Sequence, residues 1–164
     1  MRWKLTVGVA VVLLVTTTVL RTQVIDTVTV TSDSMAPTVC TGDAVVLTRL
    51  HGGESVAAGD VVTFTSPLDG ATTIKRVVAT DGQRVTIEDA QLVVDGQPVP
   101  EPYVDHASID GVYFGPVTVP AGQVFVMGDH RETSVDSRVY GSIPRAALQG
   151  RLLFRLWSGC DDHG

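Results

Sequence analysis

The chain has 164 residues, 44% of them hydrophobic and 18% charged, with a mean hydropathy of +0.23, which is too apolar for a disordered chain and long enough for one domain with an appendage. Twelve basic against eighteen acidic residues give a net charge of −6, and aromatics make up 5%. That balance excludes a phosphate-binding face and a base-stacking platform, so no nucleic-acid partner is expected. Two cysteines without a CxxC pair, and four histidines without ligand spacing, point to no metal site and no cofactor.

The first element in chain order is apolar. Residues 5–20, LTVGVAVVLLVTTTVL, carry no charge and lie between Arg2 and Lys4 on one side and Arg21 on the other. As a helix, sixteen residues reach roughly 24 Å, a little short of a hydrocarbon core of about 30 Å, and snorkelling of the basic flanks makes up the difference. A removed secretory signal needs a small-x-small cleavage site, whereas the exit here reads TTTVLRTQVID, without alanine. The expectation is a retained single-pass anchor over 1–21 and a second unit over 22–164. The positive-inside rule keeps the N-terminus cytoplasmic and puts the larger unit outside, in contact with a lipid bilayer. That unit holds all eighteen acids and the twelve basic residues less Arg2, Lys4 and Arg21, a net of −9. An oxidising exterior permits Cys40 and Cys160 to pair, with two free thiols equally open on the sequence.

Beyond Arg21 the chain alternates or runs β-branched at 26–31, 44–48, 60–65, 72–79, 84–88, 91–94, 117–119, 123–127 and 151–156. Asp-Gly pairs at 69–70, 81–82 and 95–96 signal hairpins. Residues 143–149, with Pro144 at a first turn, read as a short helix. The Pro- and Gly-rich stretch 98–120 reads as a surface excursion. The predicted fold is mainly β, an antiparallel domain of curved sheets.

Reactive groups are few. GxSxG and HExxH are absent, so a Ser-His-Asp triad has no support. Lys75 is the one lysine beyond Lys4, and it sits inside the β-branched run TTIKRVV. Alternation sets Thr73, Lys75 and Val77 on one face and Ile74, Arg76 and Val78 on the other. A buried ammonium there is expensive, so Lys75 either points to water from an edge strand or has a chemical reason to be inside. Two other segments bear on that choice. SDSMAPTVCTGD (32–43) carries two serines out of a strand into a proline-containing turn, where a hydroxyl and nearby N–H groups can serve as nucleophile and oxyanion site. GDHRETSVDSRVYG (128–141) packs Asp129, Arg131, Glu132, Asp136 and Arg138 beside Ser134 and Ser137, a density suited to a network that orients other groups.

In order along the chain, the anchor, SDSMAPT, GDVVTFTSP (59–67), TIKRVV (73–78) and GDHRETSVDSRVYGSIP (128–144) resemble the bacterial type I signal peptidases. These are membrane-anchored Ser/Lys serine endopeptidases that remove signal peptides from exported preproteins after small residues, at Ala-x-Ala sites. The resemblance implies a bacterial membrane protein with an antiparallel β domain on the outer face. It implies Ser34 as nucleophile and Lys75 as general base, with the Ser34 N–H and the Ser32 hydroxyl as the oxyanion site. By the same resemblance Ser134 orients the Lys75 amine, and Asp129, Asp136 and Arg138 are structural supports. Val28, Val30, Met35, Val39 and Ile74 fall where that family lines its shallow pockets. Thr31, Asp33, Cys40, Thr73 and His130 depart from the family pattern without removing a catalytic group.

The chemistry asks one thing of Lys75. A free lysine titrates near 10.4, so only about one in 2,500 is neutral at pH 7; desolvation on an apolar strand face is what can lower that value. The remaining alternatives are a specialised peptidase for pilins or conjugation proteins, a self-cleaving Ser/Lys repressor, and a catalytically silent anchored β domain that binds exported proteins. The repressor fits poorly with a membrane span and no basic DNA-binding region.

Overall fold

A computed structural model describes residues 7–9, 25–52, 54–105, 113–157 and 160. Most of the apolar run therefore lies outside the described residues; residues 7–9 are helical, and no described helix is long and apolar enough to cross a membrane.

Among the described residues, eleven antiparallel strands build the domain: β1 Ile25–Thr29, β2 Ala44–Arg49, β3 Val61–Thr65, β4 Thr72–Thr80, β5 Arg84–Glu88, β6 Gln91–Val94, β7 Gln97–Pro98, β8 Phe114–Thr118, β9 Gln123–Met127, β10 Ile143–Pro144 and β11 Leu148–Trp157. Seven of them form one sheet in the order β1-β2-β11-β3-β4-β9-β10, and four form a second in the order β7-β6-β5-β8. The β-branched runs read from the sequence supply these strands because valine, isoleucine and threonine lose little freedom on a pleated surface.

Strand β4 matters most for the site. It lies inside the larger sheet, with Val62↔Lys75 and Val61↔Arg76 against β3 on one side and Arg76↔Met127 against β9 on the other. Lys75 is thus on an interior strand and 3% exposed; the edge-strand alternative does not hold. Ile74 joins a cluster with Val30, Met35, Val39, Val45, Leu47 and Val61. Val77 packs with Val62, Phe64, Val124, Val126 and Leu148, and Val78 and Ala79 pack with Val85, Leu92, Phe125 and Met127, from both sheets. Burying each such side chain stabilises by about 1.5–3 kcal/mol, so β4 is among the most firmly held segments.

Several local expectations change. Asp95-Gly96 does close a hairpin, with both residues at positive φ (53° and 76°), as a type I′ turn demands. Asp81-Gly82 also turns the chain, but it leads from β4 to β5, which lie in different sheets. The helix expected over 143–149 is replaced by β10, a single 3-10 turn Arg145–Ala147 and the start of β11. A proline fits an edge strand as readily as a first helical turn, and here Ile143 pairs with Val124 while its side chain joins the core. The helical turn is instead Ser137–Tyr140, capped by the Asp136 carboxylate, which accepts from the Arg138 N–H. The expected surface excursion is partly structural: β8 pairs with β5, and Glu101 and Val104 are buried.

Candidate active site

The loop that carries Ser34 is fixed mostly by its own backbone. Val30 donates to the Asp43 carbonyl and Gly42 to the Val30 carbonyl, closing the loop's neck. Inside it, the Ala36 N–H donates to the Asp33 carbonyl (3.0 Å) and the Val39 N–H to the Met35 carbonyl (2.9 Å), a tight pair of turns around the serine. The Asp33 carboxylate accepts from the Thr41 N–H at 3.0 Å and the buried Asp43 carboxylate from the Cys40 N–H at 2.9 Å. Arg155, from β11, reaches both Asp43 Oδ2 and the Thr38 carbonyl at 3.3 Å. A disulfide joins Cys40 to Cys160, so the loop is also tied covalently to the chain beyond β11.

Lys75 meets this loop head-on. Its Nζ donates to Ser34 Oγ at 2.6 Å, across 41 residues of sequence. Burial pushes the Lys75 pKa below the ordinary lysine value; Asp136 and Asp129 oppose that shift, and Arg138 adds to it. Ser32 Oγ lies 3.3 Å from Ser34 Oγ on the exposed side. The three groups named from sequence therefore meet at one point: a hydroxyl, an amine biased toward its neutral form, and a second hydroxyl beside the first.

Ser134 departs from expectation. Its hydroxyl is buried without a hydrogen-bond partner, so the orienting bond to Lys75 is not formed in this structure, where the amine is turned to Ser34. It packs instead against Gly128, whose missing Cβ is required: an added methyl would overlap the Ser134 side chain and the Ser34 carbonyl oxygen. His130 continues the contact, its N–H donating to that same carbonyl at 3.2 Å.

Ion pairs surround this point. Arg76, on the other face of β4, holds Asp129 with two bonds (2.8 and 2.6 Å), reaches the Gly59 carbonyl and Thr38 Oγ1, and lies 3.8 Å over the Tyr103 ring. Asp136 accepts from Arg138 and from the Gly128 N–H (3.0 Å). Asp129, Asp136 and Arg138 thus sit in a buried network beside the Ser34–Lys75 pair. Sequence reasoning singled out neither Gly128 nor Glu101, and asked of Arg76 only why a cation should be there. Arg76 had a readable signal, a second cation in an apolar strand; Glu101 had none.

Two hollows share Thr31, Ser32, Thr72 and Thr73 in their walls. The smaller, of about 60 Å³, has walls from Val28, Val30, Val45, Thr63, Thr73 and Ile74, room for only a few waters and hence for a small side chain. Met35 and Val39, also expected there, are wholly shut from solvent in the cluster behind it; the tight turn of their loop directs both inward. The larger is an open cleft of about 410 Å³ with Ser34 and Lys75 among its walls, bordered by Ser32, Thr72, Thr73, Leu68 and Val135.

Ser34 and Lys75 thus face each other in the wall of an open cleft, which shares residues with a small pocket of valines, an isoleucine and threonines, on a mainly antiparallel β scaffold. Residues 1–157 match the family model described as signal peptidase, peptidase S26, and the chain belongs to that family. It is 38% identical over 135 residues to a probable signal peptidase I-1 of Synechocystis, covering 77% of this chain and 68% of that protein. It is 30% identical over 161 residues to a signal peptidase I of Leptolyngbya laminosa, covering 93% and 77%. The fold is similar to the crystal structure of a signal peptidase I from Enterococcus faecalis, with a TM-score of 0.55 at 28% identity, over 61% of this chain and 98% of that one.

Proposed function

We propose that this chain is a serine endopeptidase that cuts signal peptides from exported preproteins after small residues, with Ser34 as nucleophile and Lys75 as general base. The observation that carries the assignment of these residues is the 2.6 Å approach of a 3% exposed lysine amine to a serine hydroxyl. A lysine is that far inside without a carboxylate partner only at a cost in stability, and a base for the hydroxyl is a use that explains it.

The neutral Lys75 amine takes the Ser34 proton as Oγ bonds the scissile carbonyl carbon. The resulting oxyanion accepts from the Ser34 N–H and the Ser32 hydroxyl. As the C–N bond breaks, the Lys75 ammonium returns its proton to the leaving nitrogen, and the new mature N-terminus departs. Lys75 then takes a proton from water, whose oxygen attacks the acyl ester and frees Ser34. An extended substrate lies between residues 28–32 and 71–75, with a small side chain in the 60 Å³ pocket. Its docking further excludes water from the amine.

Residues 5–20 anchor the chain in the bilayer, with the β domain on the extracytoplasmic side, so enzyme and substrate meet in one membrane. The test is cleavage of an Ala-x-Ala preprotein by the full chain in liposomes, compared with Ser34→Ala and Lys75→Ala. Both variants are expected to lose about 10³-fold or more while keeping the wild-type fold. Wild-type-like cleavage by either one overturns the assignment.

A further inference from the structure

Gly128 presses against the carbonyl of Ser34 and against Ser134, and both of its backbone polar groups are held. The Asp136 carboxylate takes its N–H at 3.0 Å, and the Arg131 Nε–H donates to its carbonyl at 3.0 Å. Arg131 is itself held from elsewhere. Both of its terminal nitrogens donate to the Glu101 carboxylate, one at 2.7 Å, and both side chains are closed to solvent (2% and 0% exposed). Glu101 follows β7 of the smaller sheet, 30 residues away in sequence. Tyr103 fastens the same segment a second time: its hydroxyl donates to Glu101 Oε1 at 3.2 Å, and its ring lies beneath Arg76. The route from Glu101 to the nucleophile is short: carboxylate, guanidinium, Gly128 carbonyl, then the Ser34 backbone.

We infer that Glu101 is a positioning residue for the proposed peptidase reaction, acting through Arg131 to set Gly128 against Ser34 and so fix the serine hydroxyl before the Lys75 amine. The inference rests on the Ser34/Lys75 reading. A buried ion pair is a poor source of net stability, since apolar residues of similar volume often replace it without loss. What apolar residues cannot supply is the Nε–H to the Gly128 carbonyl. Because Gly128 touches the nucleophile loop and borders neither hollow, misplacing it lowers kcat and leaves KM nearly unchanged.

The experiment compares wild type, Glu101→Gln, the double variant Glu101→Leu/Arg131→Met and Ser34→Ala. It follows kcat and KM on the Ala-x-Ala preprotein in liposomes, and Tm for each protein. Glu101→Gln strands a buried guanidinium, so a loss of Tm is expected whatever its role. The double variant removes both charges and is expected to recover Tm, with kcat still tenfold or more below wild type and KM within twofold. Recovery of kcat together with Tm in the double variant, or wild-type kcat in Glu101→Gln, overturns the inference. A wild type that does not cleave, or a Ser34→Ala that does, overturns the Ser34/Lys75 reading instead.

Discussion

Lys75 and Arg76 are neighbours in sequence and cations on opposite faces of β4, yet Arg76 grips Asp129 with two bonds while the Lys75 amine has only the Ser34 hydroxyl within hydrogen-bond reach among the described residues. The paired cation is structural. The other keeps a lowered pKa because burial disfavours its charge by more than Asp136 and Asp129, themselves bound to Arg138 and Arg76, favour it.

Lys75 therefore costs the fold stability for the sake of chemistry. Its folded pKa lies below the unfolded value, so between the two the unfolded chain binds more protons and stability rises with pH. Replacing it with methionine is expected to raise Tm by several degrees at pH 7 and to abolish cleavage. The gain in Tm should shrink as pH approaches the unfolded lysine value of about 10.4. For wild type, kcat/KM should rise with pH along a limb below the ordinary lysine range, as the neutral amine forms. Thermal melts and rate profiles against pH check both; a gain in Tm that grows with pH contradicts the sign.

At Gly128 the prediction is steric. Alanine there needs the Ser34 carbonyl or Ser134 to move, and overpacking of this kind costs about 1–3 kcal/mol. Gly128→Ala should lower Tm and reduce kcat at least tenfold. An unchanged kcat in a folded Gly128→Ala would show that the contact does not govern the nucleophile.

Ile74 closes the small pocket. One methylene in such a pocket is worth about 10–200-fold in discrimination. Ile74→Ala should let preproteins with valine or leucine before the cut compete with alanine, reducing the preference by about tenfold or more. Competition kinetics on paired substrates reads this directly.

The Cys40–Cys160 bridge closes 120 residues of chain. On the chain-entropy account, a loop that long stabilises by up to about 5 kcal/mol. Cys40→Ser/Cys160→Ser should lower Tm, and reductant should bring wild type down to the same value. A reductant that leaves wild-type Tm unmoved would show the bridge to be idle.

The strands were readable because each rests on a local cue, a β-branched run; a serine leaving a strand and one lysine in an apolar run were visible in the same way, while their acting together came from the family resemblance. What escaped depends on contacts distant in sequence. Pro98, Pro100 and Pro102 flank Glu101 and make its segment read as surface, yet its carboxylate is buried by an arginine 30 residues on. Pro144 carries the same cue in a helix start and an edge strand, and only its pairing with Gln123 decides. The expected Ser134 bond came from the resemblance alone, and here that hydroxyl is buried without a hydrogen-bond partner.

Strand β4 brings four duties into consecutive positions: Ile74 walls the pocket, Lys75 faces the serine, Arg76 holds the acid network, and Val77 to Ala79 fill the core. A slip of one residue against β3 would exchange the two faces entirely, setting opposite Ser34 either a guanidinium that does not deprotonate or an isoleucine, according to its direction. The same alignment that lets this domain fold thus decides whether it has a base at all, and a misregistered molecule would be inert rather than merely slow.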